Sequence, residues 1–254
     1  MKKKFIITVL FPILFFVAGN IIAQQQTTTV PLPSVGINIG TSNNPEDLSV
    51  TLQLLLLLTI LSLAPSILIM TTSYLRIIIV FQFLKTSMGT MQMPPNQLLA
   101  GIALFITFFI MAPTWETVHQ NALKPYLDHQ INIEEAYDKG IEPIRNFMLK
   151  NVRNEDLELF ASMADIERPD TPADLPIHVL IPAYILSELR AGFIIGFFLF
   201  IPFVMVDMII SSILMSMGMM MLPPMLISLP FKILLFVLVD GWNLIVSSLV
   251  RSFA

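Results

Sequence analysis

Apolar residues fall in four long blocks, Leu48 to about Tyr74, Gln97 to about Ala112, Ile185 to about Met215 and Met225 to Val250. No charged residue occurs from Leu48 to Leu75 or from Thr86 to Trp115. Uncharged apolar runs of about 18 residues or more read as membrane-crossing helices. Pro65 stands inside the first block as a candidate kink. Between the second and third blocks the pattern changes. Ile141, Ile144, Phe147 and Met148, then Leu157, Phe160 and Met163, recur at steps of three and four, the period of a helix with one apolar face. Pro169, Pro172 and Pro176 end that region. No useful length alternates with period two. The fold class expected is all-α, a polytopic set of membrane-inserted helical hairpins.

The interruptions repeat. "SMGTMQMPP" (Ser87 to Pro95) and "SMGMMMLPP" (Ser216 to Pro224) agree at six of nine positions, 129 residues apart. Each separates two apolar blocks, so the chain reads as two parallel repeats. Two successive prolines stop a helix, and glycine permits backbone that other residues avoid. Gly218, Pro223 and Pro224 therefore bracket a short irregular piece carrying Met219, Met220 and Met221. Irregular backbone at membrane depth survives only when buried in protein or lining a cavity. Unbranched, polarizable Met suits either an irregular core turn or a constriction that re-packs around cargo. The residues alone leave both readings open.

The start "MKKKFIITVLFPILFFVAG" has a basic end and an apolar stretch of about 15 residues, the pattern of a secretory signal peptide. Ala23 is a suitable cleavage position, although Ile21 is larger than usual two residues before it. The competing reading, an uncleaved span, is short and interrupted by Pro12. The expected organisation is a signal peptide at 1–23, a disordered extracytoplasmic linker at 24–47 and a first helical hairpin at 48–115. A helical extracytoplasmic domain at 116–176 and a second hairpin at 177–254 complete it. The turn Arg76 to Pro95 has Arg76, Lys85 and no acid, as cytoplasmic turns do. Glu116 to Asp174, with 13 acidic and 6 basic residues, is then the periplasmic loop.

Five charges interrupt the second hairpin: Glu188, Arg190, Asp207, Lys232 and Asp240. Charges at membrane depth are costly and are paired or functional. Asp207 and Lys232 are equidistant from the Met219–Met220 bond, and so are Glu188 and Arg251. A hairpin folded about that bond would bring each acid to a base. A solvated helix end is the alternative for Glu188 and Arg190. Gly192 and Gly196 make a GxxxG, which lets helices approach closely.

Composition agrees with insertion: 55% of residues are hydrophobic and 13% charged, against about a quarter charged in soluble domains. Cysteine is absent, and His119, His129 and His178 stand far apart. No HExxH, GxSxG or GxxxxGK[ST] occurs, so no enzyme, metal or cofactor is expected. Net charge is −4 and basic residues cluster only at Lys2–Lys4, which gives nucleic acid no footprint.

Four stretches, "RIIIVFQFLKTSMGTMQMPPNQLLAGIALFITFFIMAP", "IPAYILSELRAGF", "FLFIPFVMVDMII" and "MSMGMMMLPPMLISLPFKILLFVLVDGWNLIVSSLV", resemble the FliP family of flagellar type III export-gate proteins. The resemblance runs from Leu52 to Val250 and its motifs are long and specific. The injectisome branch of the family is the near alternative, although the secretory start is more like the flagellar one. The resemblance implies an inner-membrane pore at the flagellar basal body. It would be built from several copies of the chain with FliQ-like and FliR-like subunits, beside FlhB-like and FlhA-like proteins and in contact with lipid. Unfolded rod, hook and filament subunits would pass through it. It also implies that Met219, Met220 and Met221 close that pore, and that not every apolar segment spans the bilayer in the finished assembly. It implies nothing for the first SMG element.

A small-molecule transporter built on the repeat is the reading from another class. It calls for a polar site shared by both halves. The repeat partners of Asp207 and Lys232 are Ile78 and Ala103, so no such site recurs. A passive assembly scaffold is a third reading, which a conductance measurement on a Met-triplet variant separates from a gate.

The mature chain is expected to begin at or near Gln24. N-terminal sequencing of membrane-purified protein checks this. An intact Met1 would require an additional span.

Overall fold

The computed structural model describes residues 45–90, 93–164, 175–219 and 222–253, with the side chains of 45–51 left aside. The expected signal peptide and nearly all of the linker lie outside the described residues. The chain divides between Thr51 and Leu52, and the larger unit begins at Leu52. Every regular element among the described residues is helical.

The first apolar block is α1 (Pro45–Met70), continuous through Pro65. Its side chains from Leu52 to Met70 are almost all exposed. A helix apolar on every face needs lipid or other protein around it. The next helix corrects the expected cytoplasmic turn. Residues Arg76 to Met88 lie in α2 (Tyr74–Met88), which is buried at Ile77, Val80, Phe81, Leu84 and Met88. That spacing of three and four is a helical face, and burying it outweighs the turn suggested by two basic residues.

The second block is α3 (Asn96–Val118), which passes through a π-helical turn at His119–Leu123 into α4 (Lys124–Leu127). The acidic region adds α5 (Ile133–Asn151) and α6 (Asn154–Met163). Asn132 caps α5 by accepting the Glu135 N–H at 2.8 Å. Residues 165–174, including Pro169 and Pro172, lie outside the described residues. Pro176 precedes α7 (Ile177–Ser216), a 40-residue helix. At 1.5 Å per residue it is about 60 Å long, twice the roughly 30 Å hydrocarbon thickness of a bilayer. The fourth block is bent by 61° between α8 (Pro224–Leu238) and α9 (Gly241–Arg251). Among the described residues three helices, counting α3 with its continuation to Leu127 as one, are long and apolar enough to cross a membrane, and the bent pair makes a fourth if taken as one span.

Two apolar cores share α7. The first half of α7 buries Val179, Leu180, Ala183 and Tyr184 against Met148 of α5 and Leu157 and Ala161 of α6. Ser187 fixes this junction, donating to Asp156 Oδ2 at 2.6 Å and accepting the Arg153 N–H at 3.0 Å. Further along, Phe203 of α7 joins Ile77, Val80, Phe81 and Leu84 of α2, Leu99 and Ala103 of α3, Phe236 of α8, and Ile245 and Leu249 of α9. The acidic region is thus built onto the same helix that carries the second hairpin.

Helices α2 and α7 run parallel. Arg76 meets Glu188, Ile79 lies over Gly192 and Phe83 over Gly196. An ideal Cβ on Gly196 would stand 2.5 Å from Phe83 Cγ, and one on Gly192 would stand 3.0 Å from Ile79 Cγ2. The GxxxG therefore receives side chains of the first half of the same chain. Gly196→Leu should destabilise the protein by about 1–3 kcal/mol through overpacking. Phe83→Ala in the same chain should restore much of the loss, with thermal unfolding in detergent as the measurement. Equal destabilisation with and without Phe83→Ala would show that the ring is not the obstacle.

Candidate functional site

The apolar hairpin formed by α7 and α8 is closed by the second SMG–PP element. Gly218 ends α7 with φ +74, and its N–H donates to Met215 O at 3.1 Å. The Met219 N–H reaches back to Leu214 O at 3.0 Å. This is the left-handed helix stop that glycine permits, and it satisfies carbonyls the helix leaves unpaired. Pro223 precedes α8 and Pro224 is its first residue, where a missing N–H costs nothing. Met219 is 41% exposed, and Met215, Met217, Leu222 and Met225 around it are also exposed. Met220 and Met221 lie outside the described residues. The described tip of this hairpin is an apolar, Met-rich surface that the single chain does not cover.

Behind the tip, the structure brings Asp207 and Lys232 together. Lys232 Nζ donates to Asp207 Oδ2 at 2.6 Å and to Ser87 O at 3.1 Å. Ser228 Oγ donates to the other carboxylate oxygen at 2.5 Å. The lysine side chain is 4% exposed and the aspartate 34%. Ser87 is in the last turn of α2, whose final carbonyls have no partner within the helix. An ammonium there satisfies one of them and complements the negative end of the helix dipole. Lys232 thus links α8 to both α7 and α2.

Glu188 does not meet Arg251. Its partner is Arg76, which donates from Nε to Oε2 at 2.9 Å and from Nη2 to Oε1. Glu188 is wholly buried and Arg76 is 5% exposed. Arg76 Nη1 also donates to Ser252 O and Oγ, both at 3.0 Å, and its guanidinium lies 3.8 Å from the Phe253 ring centre. The 61° bend before α9 takes Arg251 out of the register of a straight hairpin, and its side chain is exposed. By sequence Arg76 stands out only as a basic residue of an expected turn. The signal that could have found it is helical spacing, which puts Arg76 four and eight residues before buried Val80 and Leu84.

Two further charges are also placed differently. Arg190 is exposed on α7, two residues past Glu188. Asp240 is exposed at the bend, with φ 48 and ψ 54, and accepts from Asn243 Nδ2 at 3.1 Å. Neither joins an ion pair among the described residues. The bend itself is packed from inside. An ideal Cβ on Gly241 would lie 2.2 Å from Phe236 Cε2, and Trp242 sits edge-on to Phe236 at 5.4 Å. Among the described residues no group of three or more His, Cys, Asp or Glu side chains could hold a metal ion.

Comparison with known proteins places this architecture. The model of the FliP family matches residues 57–249. The chain belongs to the FliP family. Flagellar biosynthetic protein FliP of Bacillus subtilis is 56% identical over 217 residues, covering 85% of this chain and 98% of the relative. The Caulobacter vibrioides protein of the same name is 50% identical over 220 residues, 87% of this chain and 82% of its own. That of Treponema denticola is 43% identical over 270 aligned positions, spanning both chains fully. The FliP match includes both SMG–PP elements, Arg76, Glu188, Asp207 and Lys232.

Removing one partner of a buried ion pair costs about 3–5 kcal/mol, whereas removing both can be near neutral. Asp207→Ala or Lys232→Ala alone should therefore reduce the yield of assembled complex sharply. The double substitution should recover part of it, as measured by co-purification after detergent extraction. Strictly additive losses would show that the two charges are not coupled.

Proposed function

We propose that this chain is a core component of the bacterial flagellar type III export gate. In this reading several copies surround a pore in the inner membrane, together with FliQ-like and FliR-like subunits. FlhB-like and FlhA-like proteins lie alongside, the acidic helices face the periplasm, and unfolded rod, hook and filament subunits pass through. Membership of the FliP family and relatives named as flagellar biosynthetic proteins support the flagellar branch. The chain acts by forming a passage, with no catalytic chemistry of its own. Assembly and ion-pair roles go to Glu188 with Arg76 and to Asp207 with Lys232. Arg190 and Asp240, exposed in the single chain, go to contacts between subunits.

The observation that carries the gate is the hairpin tip. A Met-rich turn that merely filled a core would be buried in its own chain. Met215, Met217 and Met219 are instead 59%, 65% and 41% exposed, at the end of a hairpin apolar on both arms. Such a surface needs an apolar partner, and in a ring of copies the partner is the same loop from the neighbours. Thioether chains fill an irregular constriction and re-pack as an extended polypeptide passes. Their apolar lining opposes a continuous column of water, which limits ion leakage. The long exposed face of α1 supports the same reading, because lipid or other subunits must cover it.

Changing Met219, Met220 and Met221 together to Ala should leave an assembled complex that leaks small ions. Membrane conductance measured beside motility, with assembly as control, checks this. Normal assembly with conductance no higher than that of the unmodified chain would place the seal elsewhere.

A further inference from the structure

The two SMG–PP elements share a left-handed glycine and differ in its surroundings. Gly89 and Gly218 both have φ +74, and their N–H groups donate to Thr86 O and Met215 O, each at 3.1 Å. The second element is open: an ideal Cβ on Gly218 meets nothing within 4 Å. The first is enclosed at its start, although Met93 further on is exposed. Ser87 is 1% exposed and Met88 7%. An ideal Cβ on Gly89 would stand 3.7 Å from Met225 Cγ and 3.8 Å from Lys232 Nζ. Met225 is the second residue of α8, directly after the two prolines of the second element. The first element therefore touches the helix that leads out of the second.

We propose that the first SMG–PP element is the seat of the second. In it, Ser87 and Gly89 are positioning residues that fix the start of α8 through Lys232 and Met225. This rests on the reading of the second element as the pore seal, and it assigns the first element the task of setting where that seal stands. Three features support it. The Ser87 carbonyl is freed for Lys232 because α2 stops there, and α2 stops there because Gly89 adopts the left-handed conformation. A Cβ at Gly89 would just reach van der Waals contact with Met225 and Lys232, so a larger side chain there would press on α8. Lys232 is held from its other side by Asp207, which is anchored in α7. The position of α8 is thus referred to two helices, α2 and α7, that are locked together by Arg76–Glu188 and the GxxxG contact. The tip, which is otherwise unsupported by its own chain, inherits that reference.

Gly89→Val should disturb the seat, because a β-branched residue resists φ near +74 and its methyl groups point at Met225 and Lys232. Gly89→Asn should restore it, since Asn tolerates that conformation. Gly101→Ala is the control, as a Cβ there meets nothing within 4 Å. The chain lacks cysteine, so Met219→Cys with Leu98→Cys gives one pair of spin labels per copy. Distances are read in whole membrane-purified complexes, with labelled chains diluted among unlabelled ones. The expected result is a single narrow distance for the parent, Gly89→Asn and Gly101→Ala, and a broadened or shifted one for Gly89→Val. In unlabelled complexes Gly89→Val should raise ion leakage about ten-fold, the population change that about 1.4 kcal/mol produces. An unchanged distance distribution in assembled Gly89→Val complexes would overturn the proposal. If the distance shifts but neither Gly89→Val nor the triple Met-to-Ala variant leaks, the seat stands and the seal reading fails. If the triple variant leaks while Gly89→Val shifts nothing, the seal stands and the seat fails. Should Gly89→Val not assemble, Gly89→Ala is scored in its place. Failure of both to assemble while Gly89→Asn assembles would assign Gly89 to folding and overturn the proposal.

Discussion

Arg76 and Glu188 form a bidentate pair with almost no exposed surface, and the rest of the fold is arranged around it. The pair joins α2 to α7 at one level. The other face of the guanidinium holds Ser252 and the Phe253 ring, so the last helix is tied to the first buried one. Phe253 stacks on Phe147 of α5 at 6.1 Å, and Phe147 meets Tyr184 edge-on at 6.2 Å. Tyr184 in turn donates to Thr72 O at 2.9 Å, just ahead of α2. Desolvating two charges costs several kcal/mol each, and such a pair is tolerable only when its remaining hydrogen-bonding capacity is met. Here the donors and acceptors come from residues 76, 188 and 252, so the charge is satisfied only when distant parts of the chain are in place. That makes the pair a device for specifying one arrangement of otherwise slippery apolar helices.

A helical bundle of this composition has a shortage of directional contacts. Apolar side chains gain little by choosing one neighbour over another in a lipid-like surrounding, and close packing and polar bonds must supply the choice. The chain uses both on one interface. Gly192 and Gly196 admit Ile79 and Phe83, which sets the distance between α2 and α7. Arg76–Glu188 sets their register, and Lys232, reaching Ser87 and Asp207, sets the position of α8 against both. Arg76, Glu188 and Lys232, each buried in the single chain, all join two helices. Arg190, Asp240 and Arg251, which are exposed, join none of its helices to another through an ion pair among the described residues.

The same scaffold leaves its Met-rich end bare among the described residues. Among the described residues the Met-rich tip and the outer face of α1 are apolar and exposed. A monomer finished in itself would not leave so much large apolar surface in the open. A subunit of a membrane assembly does, because its neighbours and the lipid complete the burial. The rigid part of the chain and the incomplete part are therefore complementary. The buried polar contacts hold a frame, and the Met-rich loop stands exposed at its end.

Much of this was legible in the sequence. Apolar blocks determined the all-α class, because their length and lack of charge admit only helices in a membrane. The repeated SMG–PP letters determined two helix breaks with the same left-handed glycine, since glycine after a helix and paired prolines before one act within a few residues. Equal spacing about the Met triplet pointed to Asp207 and Lys232, which lie near the closed end of the hairpin, where its arms cannot diverge far. The identical arithmetic failed for Glu188 and Arg251, because the bend at Asp240 accumulates along the arm. That α2 is a buried helix and not a turn, that Arg76 is the partner of Glu188, and that Gly89 lies against Met225 were decided only in three dimensions. Each depends on contacts between residues more than a hundred positions apart, and spacing along the chain carries no record of which distant surface will supply them.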